Sequence, residues 1–335
     1  MRSRVVWTYL LLGGCLAAIS LWRAMPARGD SEGSSVRWNR QTAARYLDDR
    51  EIWWQEWPRA QKDHGTICVS CHTVVPYAMV RPGLGRELGE AGMTVPEKTM
   101  MDSVEKRVSH WSEMVPFYSD AKNGPGKTAE AHATEAVLNA VILASYDTQQ
   151  GHLRPITRTA FDEAWALQEK TGDRAGAWKW QDFHLSPWES AESGYQGAAL
   201  LMVEAVNAPD GYANEPEVRE HLDRLREYLR RQYAAQPLVN QLYVLWASGK
   251  EPGLLNGGER KALLASIRSQ QQVDGGWSLR TCSGSNGGVG NRPPRRDVQA
   301  RIGVARGTPG EERNLERILD QYETRPGERC ESLHE

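Results

Sequence analysis

Residues 66–73 read Thr-Ile-Cys68-Val-Ser-Cys71-His72-Thr, and no other stretch of the chain gathers as much reactive chemistry. Two thiols three positions apart can both reach the vinyl groups on one edge of a porphyrin. The histidine that follows is then set over the macrocycle to ligate iron. The spacing therefore predicts one covalently attached haem c, with Cys68 and Cys71 as the attachment points and His72 as the proximal ligand. Two other chemistries use the same residue types. A dithiol redox pair wants a strand–helix setting with parallel strands nearby, whereas this neighbourhood reads as helical and tryptophan-rich. A zinc site wants a second ligand pair at a suitable spacing, and none follows.

A small c-type protein usually closes the iron with a methionine held in a loop well downstream. Met114, Met93 and His110 are the sixth-ligand candidates, and Met100, Met101 and His132 also lie at suitable chain distances. Met79 is too close to His72 to swing round the ring. A filled sixth position favours electron transfer, and an open one favours ligand binding or sensing. His64, just before the motif, is placed either against a propionate or in solvent at a helix end. No residue is assigned a catalytic role.

Haem attachment of this kind takes place outside the cytoplasm, and the amino end supplies an export segment. Arg2 and Arg4 precede the uncharged apolar run Val5 to Trp22, and Ala27-Arg28-Gly29 offers a small-x-small cleavage site. Residues 1–29 are read as a signal peptide, or as a membrane anchor through 5–22, with 30–36 as a polar linker. Leu12-Gly13-Gly14-Cys15 resembles a lipobox, but apolar residues follow Cys15 where a lipidated protein turns polar. The expected location is periplasmic, or anchored and facing the periplasm, with a redox partner that the sequence does not name.

The elements that must hold the motif are helices. The 335-residue chain carries a formal net charge of -2, which gives no field toward nucleic acid. Its aromatic usage is skewed, with 13 Trp against 3 Phe, as suits stacked helices or a cofactor pocket. The five cysteines show no disulfide framework. Amphipathic periodicity predicts helices over 39–62 and 96–113. The Ala-rich stretch 129–146 is nearly all apolar after Glu135, as in a buried inner helix. Further helices are expected near 158–170, 195–206, 215–234, 236–249 and 257–271, separated by Gly/Pro/Asp punctuation. The fold class is all-α. Asp48-Asp49 reads as a solvated helix face.

Two segments hint at a repeat. Gln168 to Trp178 and Gln272-Val-Asp-Gly275-Gly276-Trp277 each follow an amphipathic helix and end on a Gly-rich turn and a tryptophan. In such a unit the amide satisfies free backbone groups and the indole packs on the turn. The first copy has too many residues between Gln and Gly to match the second.

These segments, with Pro187-Trp188-Glu189 and Ser193-Gly-Tyr195-Gln-Gly197-Ala-Ala-Leu200, resemble the squalene–hopene cyclase-like group of the terpenoid cyclase and prenyltransferase superfamily. The likeness covers roughly 36–279, and the whole chain resembles a bacterial subset in which a CxxCH haem motif precedes the toroid helices. It implies an α/α toroid, concentric rings of helices around a cavity for a hydrophobic small molecule. On that reading 37–120 is the haem-attachment region and 121–279 contributes toroid helices. Cyclase chemistry does not follow, because no Asp-x-Asp-Asp acid is present. The alternative function is a cyclase-like enzyme, or a binding protein, for a hydrophobic substrate. From Arg280 onward there are ten arginines and no Trp, Phe or Lys. Residues 280–335 are read as an atypical Arg/Gly-rich tail, disordered or frameshifted.

Overall fold

A computed structural model describes residues 39–114, 117, 124–273 and 275–283. The expected signal or anchor, the linker and nearly all of the tail lie outside these residues. Among the described residues no helix is long and apolar enough to cross a membrane.

Among the described residues the chain is helical, with one small hairpin. Helix α1 (Arg40–Glu56) starts where the Asn39 side chain accepts from the Thr42 amide, 2.9 Å. It stops six residues short of the expected end, because Pro58 forces Trp57 into an extended conformation. Two 3-10 turns and the antiparallel hairpin β1 (Gln61–Lys62) and β2 (Thr66–Ile67) replace that last stretch. Helix α2 (Val74–Leu88) has no counterpart in the sequence-based reading. Its interior holds Pro82, which cannot donate to the carbonyl four residues back, and it ends on Gly89 in the left-handed region. Tertiary contacts compensate. The buried Arg81 binds Asp48 on α1 through Nε (2.8 Å) and Glu90 through Nη1 (2.7 Å), and the Tyr77 hydroxyl donates to the same Asp48. Asp48 is therefore not the solvated residue expected: it locks α1 to α2.

Helix α3 (Val95–Ser109) opens with a capping box between Thr94 and Glu97. Helix α4 (Gly124–Gln150) is apolar on almost every side, and Ala136 through Ala144 are essentially sealed from solvent. This is the inner helix that the Ala-rich pattern predicts. It packs against α2, α3, α5 (Pro155–Ala166) and α6 (Ser193–Asn207). Helix α6 is equally enclosed and packs on α7 (Pro216–Gln232) and α8 (Leu238–Ala247). Amphipathic α7 buries Val218, Leu222, Leu225 and Leu229 along one stripe. Helix α9 (Gly257–Ser269) and the short α10 (Leu279–Cys282) pack on α8.

One hydrophobic cluster runs from Trp54 through Val69, Val75 and Val104 to the α4, α6 and α7 residues and on to Leu263. The motif-bearing region and the later helices thus share a core.

The two Gln–Trp segments fold alike. After α5, Gln168 donates to the Gly176 carbonyl (3.0 Å), and the Trp178 indole donates to Ala164 O (2.6 Å). After α9, Gln271 donates to Gly275 O (2.7 Å), and the Trp277 indole donates to Ile267 O (2.8 Å). The working glutamine of the second unit is Gln271, not Gln272, whose amide N–H instead reaches Gly276 O.

Candidate functional site

The motif lies on a turn leading into α2, not on a helix as expected. Ser70 organises the turn: its hydroxyl accepts from the His72 and Thr73 amides, and its carbonyl accepts from the Val75 amide. Upstream, β2 holds the motif to α3, since the Ile67 amide donates to Ser103 Oγ (2.9 Å) and Arg107 donates to Thr66 Oγ1 (2.7 Å). The Cys68 amide donates to Ala60 O, and its carbonyl accepts from the Trp54 indole (2.9 Å). Both backbone polar groups of Cys68 are thereby held in place.

Cys68, Cys71 and His72 line one cleft with Trp54, Lys62, Phe117, Gln181, Glu189 and the α4 face of Ala131, Thr134, Glu135 and Leu138. The α4 residues recur at helical spacing, so one side of the inner helix forms a wall. The cleft is narrow, with a cavity volume of roughly 40 Å³. Under it Arg107 grips Glu135 through two bonds of 2.6 and 2.7 Å, a buried bidentate pair that ties α3 to α4.

The segment before α6 reaches the cleft through Gln181 and Glu189. Trp180 sits in a notch on α6, where a Cβ at Gly197 would fall 2.2 Å from its ring. The Trp180 indole donates to the Trp188 carbonyl (2.9 Å), and the Cys71 sulfur approaches that same oxygen at 3.8 Å. The Trp54 and Trp188 rings lie 5.7 and 5.9 Å from the His72 ring, both edge-on.

Electrostatics in the cleft favour neutral groups. Burial holds the His72 imidazole down to about 4, with Arg50 adding to the effect, so the ring keeps its lone pair at neutral pH. By its accessible surface His72 is an exposed residue, so solvent moderates that lowering. Its Nδ1 lies 3.0 Å from Thr73 Oγ1, which leaves Nε2 as the available donor atom. Burial pushes the Cys68 thiol up, against the lowering by Lys62 and Arg107, and pushes the Glu189 carboxyl up as well. A thiol held protonated is a poor attacking group for disulfide exchange. The hairpin is antiparallel, so the parallel-strand setting of a dithiol redox pair is also missing among the described residues.

The residues fit a haem c by the chemistry of the donor set: two thiols, a neutral imidazole and aromatic walls share one cleft. The sixth-ligand candidates fall elsewhere. Met93 lines a separate cavity with Met100 and Met101, between α2, α3 and α4. Met114 is buried at the end of a 3-10 turn and does not line the cleft. His110 stacks on His64 with centroids 4.2 Å apart, and both bind Glu113. His64 is therefore an exposed residue in contact with Glu113, and it is not among the cleft-lining residues. His132 stacks on Trp111 (4.1 Å), and its Nε2 is buried without a hydrogen-bond partner.

Sequence reasoning missed the supports of the site: Trp54, the Arg107–Glu135 pair and the Trp180–Trp188 contact. The glycines of Ser193-Gly-Tyr-Gln-Gly197, spaced to put two Cα atoms on one helix face, carried a signal for a bulky ring seated there. No family model matches the chain, and no curated protein or solved structure matches it.

Proposed function

We propose that this chain is an exported monohaem c-type protein that works in electron transfer or haem-based sensing. The observation that carries the reading is the meeting of Cys68, Cys71 and a neutral His72 in one cleft. Cys68 and Cys71 would hold the group covalently, each S–H adding across one vinyl bond with sulfur on one carbon and hydrogen on the other. His72 Nε2 would bind the iron, with Thr73 fixing the ring through Nδ1. When bound, haem supplies a one-electron iron couple or a ligand-binding iron. The chain's own part is to set access and polarity. Trp54, Phe117 and Leu138 exclude water, and the Arg107–Glu135 pair holds the cleft wall in position without adding net charge.

The repeated Gln–turn–Trp units and the enclosed α4 and α6 support placing this cleft on a terpenoid-cyclase-like helical scaffold. A second reading, a binding protein for a hydrophobic molecule, is favoured by the cavity between α2, α3 and α4. That cavity has a volume of about 260 Å³ and is lined by Met93, Met100, Met101 and Ile142, with Arg86, Glu90 and Gln149 among its polar residues.

The decisive test is a pyridine haemochrome spectrum of the protein exported together with a cytochrome c maturation system. A c-type α-band that survives acid–acetone extraction, and is lost in Cys68→Ala/Cys71→Ala, is the expected result. Protein of native fold that carries no haem overturns the proposal and leaves the methionine-lined cavity as the functional lead.

A further inference from the structure

We infer that His64, His110 and Glu113 form a surface site for a divalent transition-metal ion, distinct from the Cys68–His72 cleft and independent of the haem reading. The fold joins chain segments far apart in sequence. His64 stands at the tip of the hairpin between β1 and β2, with its backbone in the left-handed region (φ 59°, ψ 21°). His110 caps the C-terminus of α3, and Glu113 follows one 3-10 turn later.

The three side chains already converge. His64 Nε2 lies 3.1 Å from one Glu113 oxygen, and His110 Nδ1 lies 3.2 Å from the other. Ligands bound at about 2.0–2.1 Å and about 90–110° apart sit roughly 3.0–3.4 Å from one another, so both nitrogen–oxygen edges have the span of a coordinated ion. The ligand atoms of all three residues lie within 4.8 Å of each other. Rotation of one imidazole out of its stack (rings 4.2 Å apart and 14° from parallel) closes the third edge.

The frame is fixed from below. Arg107 holds Thr66, and Ser103 holds the Ile67 amide, so the strand that follows the hairpin tip is anchored to α3. A preset framework lowers the ordering cost of binding.

The donor set selects the ion. Two imidazoles and one carboxylate suit Zn²⁺, Cu²⁺, Ni²⁺ or Co²⁺, whereas Ca²⁺ and Mg²⁺ want oxygen ligands. All three side chains keep solvent-facing surface, which leaves room for water or an exogenous ligand to complete the shell.

Titration of the full chain with Co²⁺, followed by visible absorption, tests the assignment. The expected result is one ion with ligand-field bands and no sulfur-to-metal charge transfer, unchanged in Cys68→Ser/Cys71→Ser. His64→Ala and the isosteric Glu113→Gln should each weaken binding at least about tenfold. Both substitutions fall on exposed side chains, and far-UV circular dichroism verifies the fold. Thiolate charge-transfer bands that vanish in the cysteine variant, or affinity untouched by His64→Ala and Glu113→Gln, overturn the site.

Discussion

The turns closed by Gln168/Trp178 and by Gln271/Trp277 make the same hydrogen bonds in opposite surroundings. In each, the glutamine two residues past the helix end reaches a glycine carbonyl, and the indole reaches the carbonyl two residues before that end. Yet Trp178 is 1% exposed and Trp277 is 44% exposed. The difference is α7. It presses on the first turn, offering the His221 carbonyl to Gln168 and placing the Arg224 backbone against Gly176. Among the described residues nothing plays that part over the second turn. Local hydrogen bonding thus sets the shape of the unit, and the helix laid across it sets how much the unit contributes to stability.

Substitutions at matched positions should separate those two roles. Trp178→Ala removes a sealed indole and should cost about 4 kcal/mol, whereas Trp277→Ala should cost about 1 kcal/mol or less. Urea unfolding midpoints measure both, and equal losses would break the comparison. Gly176→Ala should cost about 3 kcal/mol, since φ is +97° and the new Cβ would lie 2.2 Å from Arg224 O. Gly275 also has positive φ but open space around it, so Gly275→Ala should cost only about 1 kcal/mol.

The smallest effect is pH-dependent and confined to the first unit. Glu163 on α5 is raised from 4.5 to about 8, first by burial and then by Glu135 and Asp162. The matching position on α9 is Ser266. The folded chain keeps a proton that the unfolded chain releases, so stability falls as pH rises from about 4.5 to about 8. Part of Glu163 faces solvent, which reduces the effect to the order of 1 kcal/mol. Glu163→Gln should leave stability at pH 5 unchanged and raise it at pH 8. A variant whose pH profile tracks the parent would remove Glu163 from this account.

Patterns that act along the chain were legible in the sequence, and those that act across it were not. The Ala-rich run announced α4, and the apolar stripe announced α7. Helix α2 was hidden because Pro82 and its glycines speak locally against a helix, while its support, Arg81 between Asp48 and Glu90, is tertiary. The same pairing reverses the reading of Asp48. At the site, the spacing of Cys68, Cys71 and His72 identified the residues to inspect. It carried nothing about the turn built by Ser70, or about Trp188 arriving from more than a hundred positions away. The longer first Gln–Trp loop looked wrong on paper because spacing was counted in residues. The chain takes up its extra residues in a turn at Gly172 to Ala175 and meets the same carbonyls.

The common core has a consequence for modularity. Val69, Val75 and Val104 belong to the same apolar cluster as the middle of α4 and the buried apolar residues of α6. A fragment cut after the motif-bearing helices would expose those valines to water, and the later helices alone would present the bare flank of α4. The cysteine-bearing turn is thus not a detachable cassette plugged into a helical host. Any change that resizes the inner helices is transmitted to the cleft, so the two parts must be inherited, and redesigned, together.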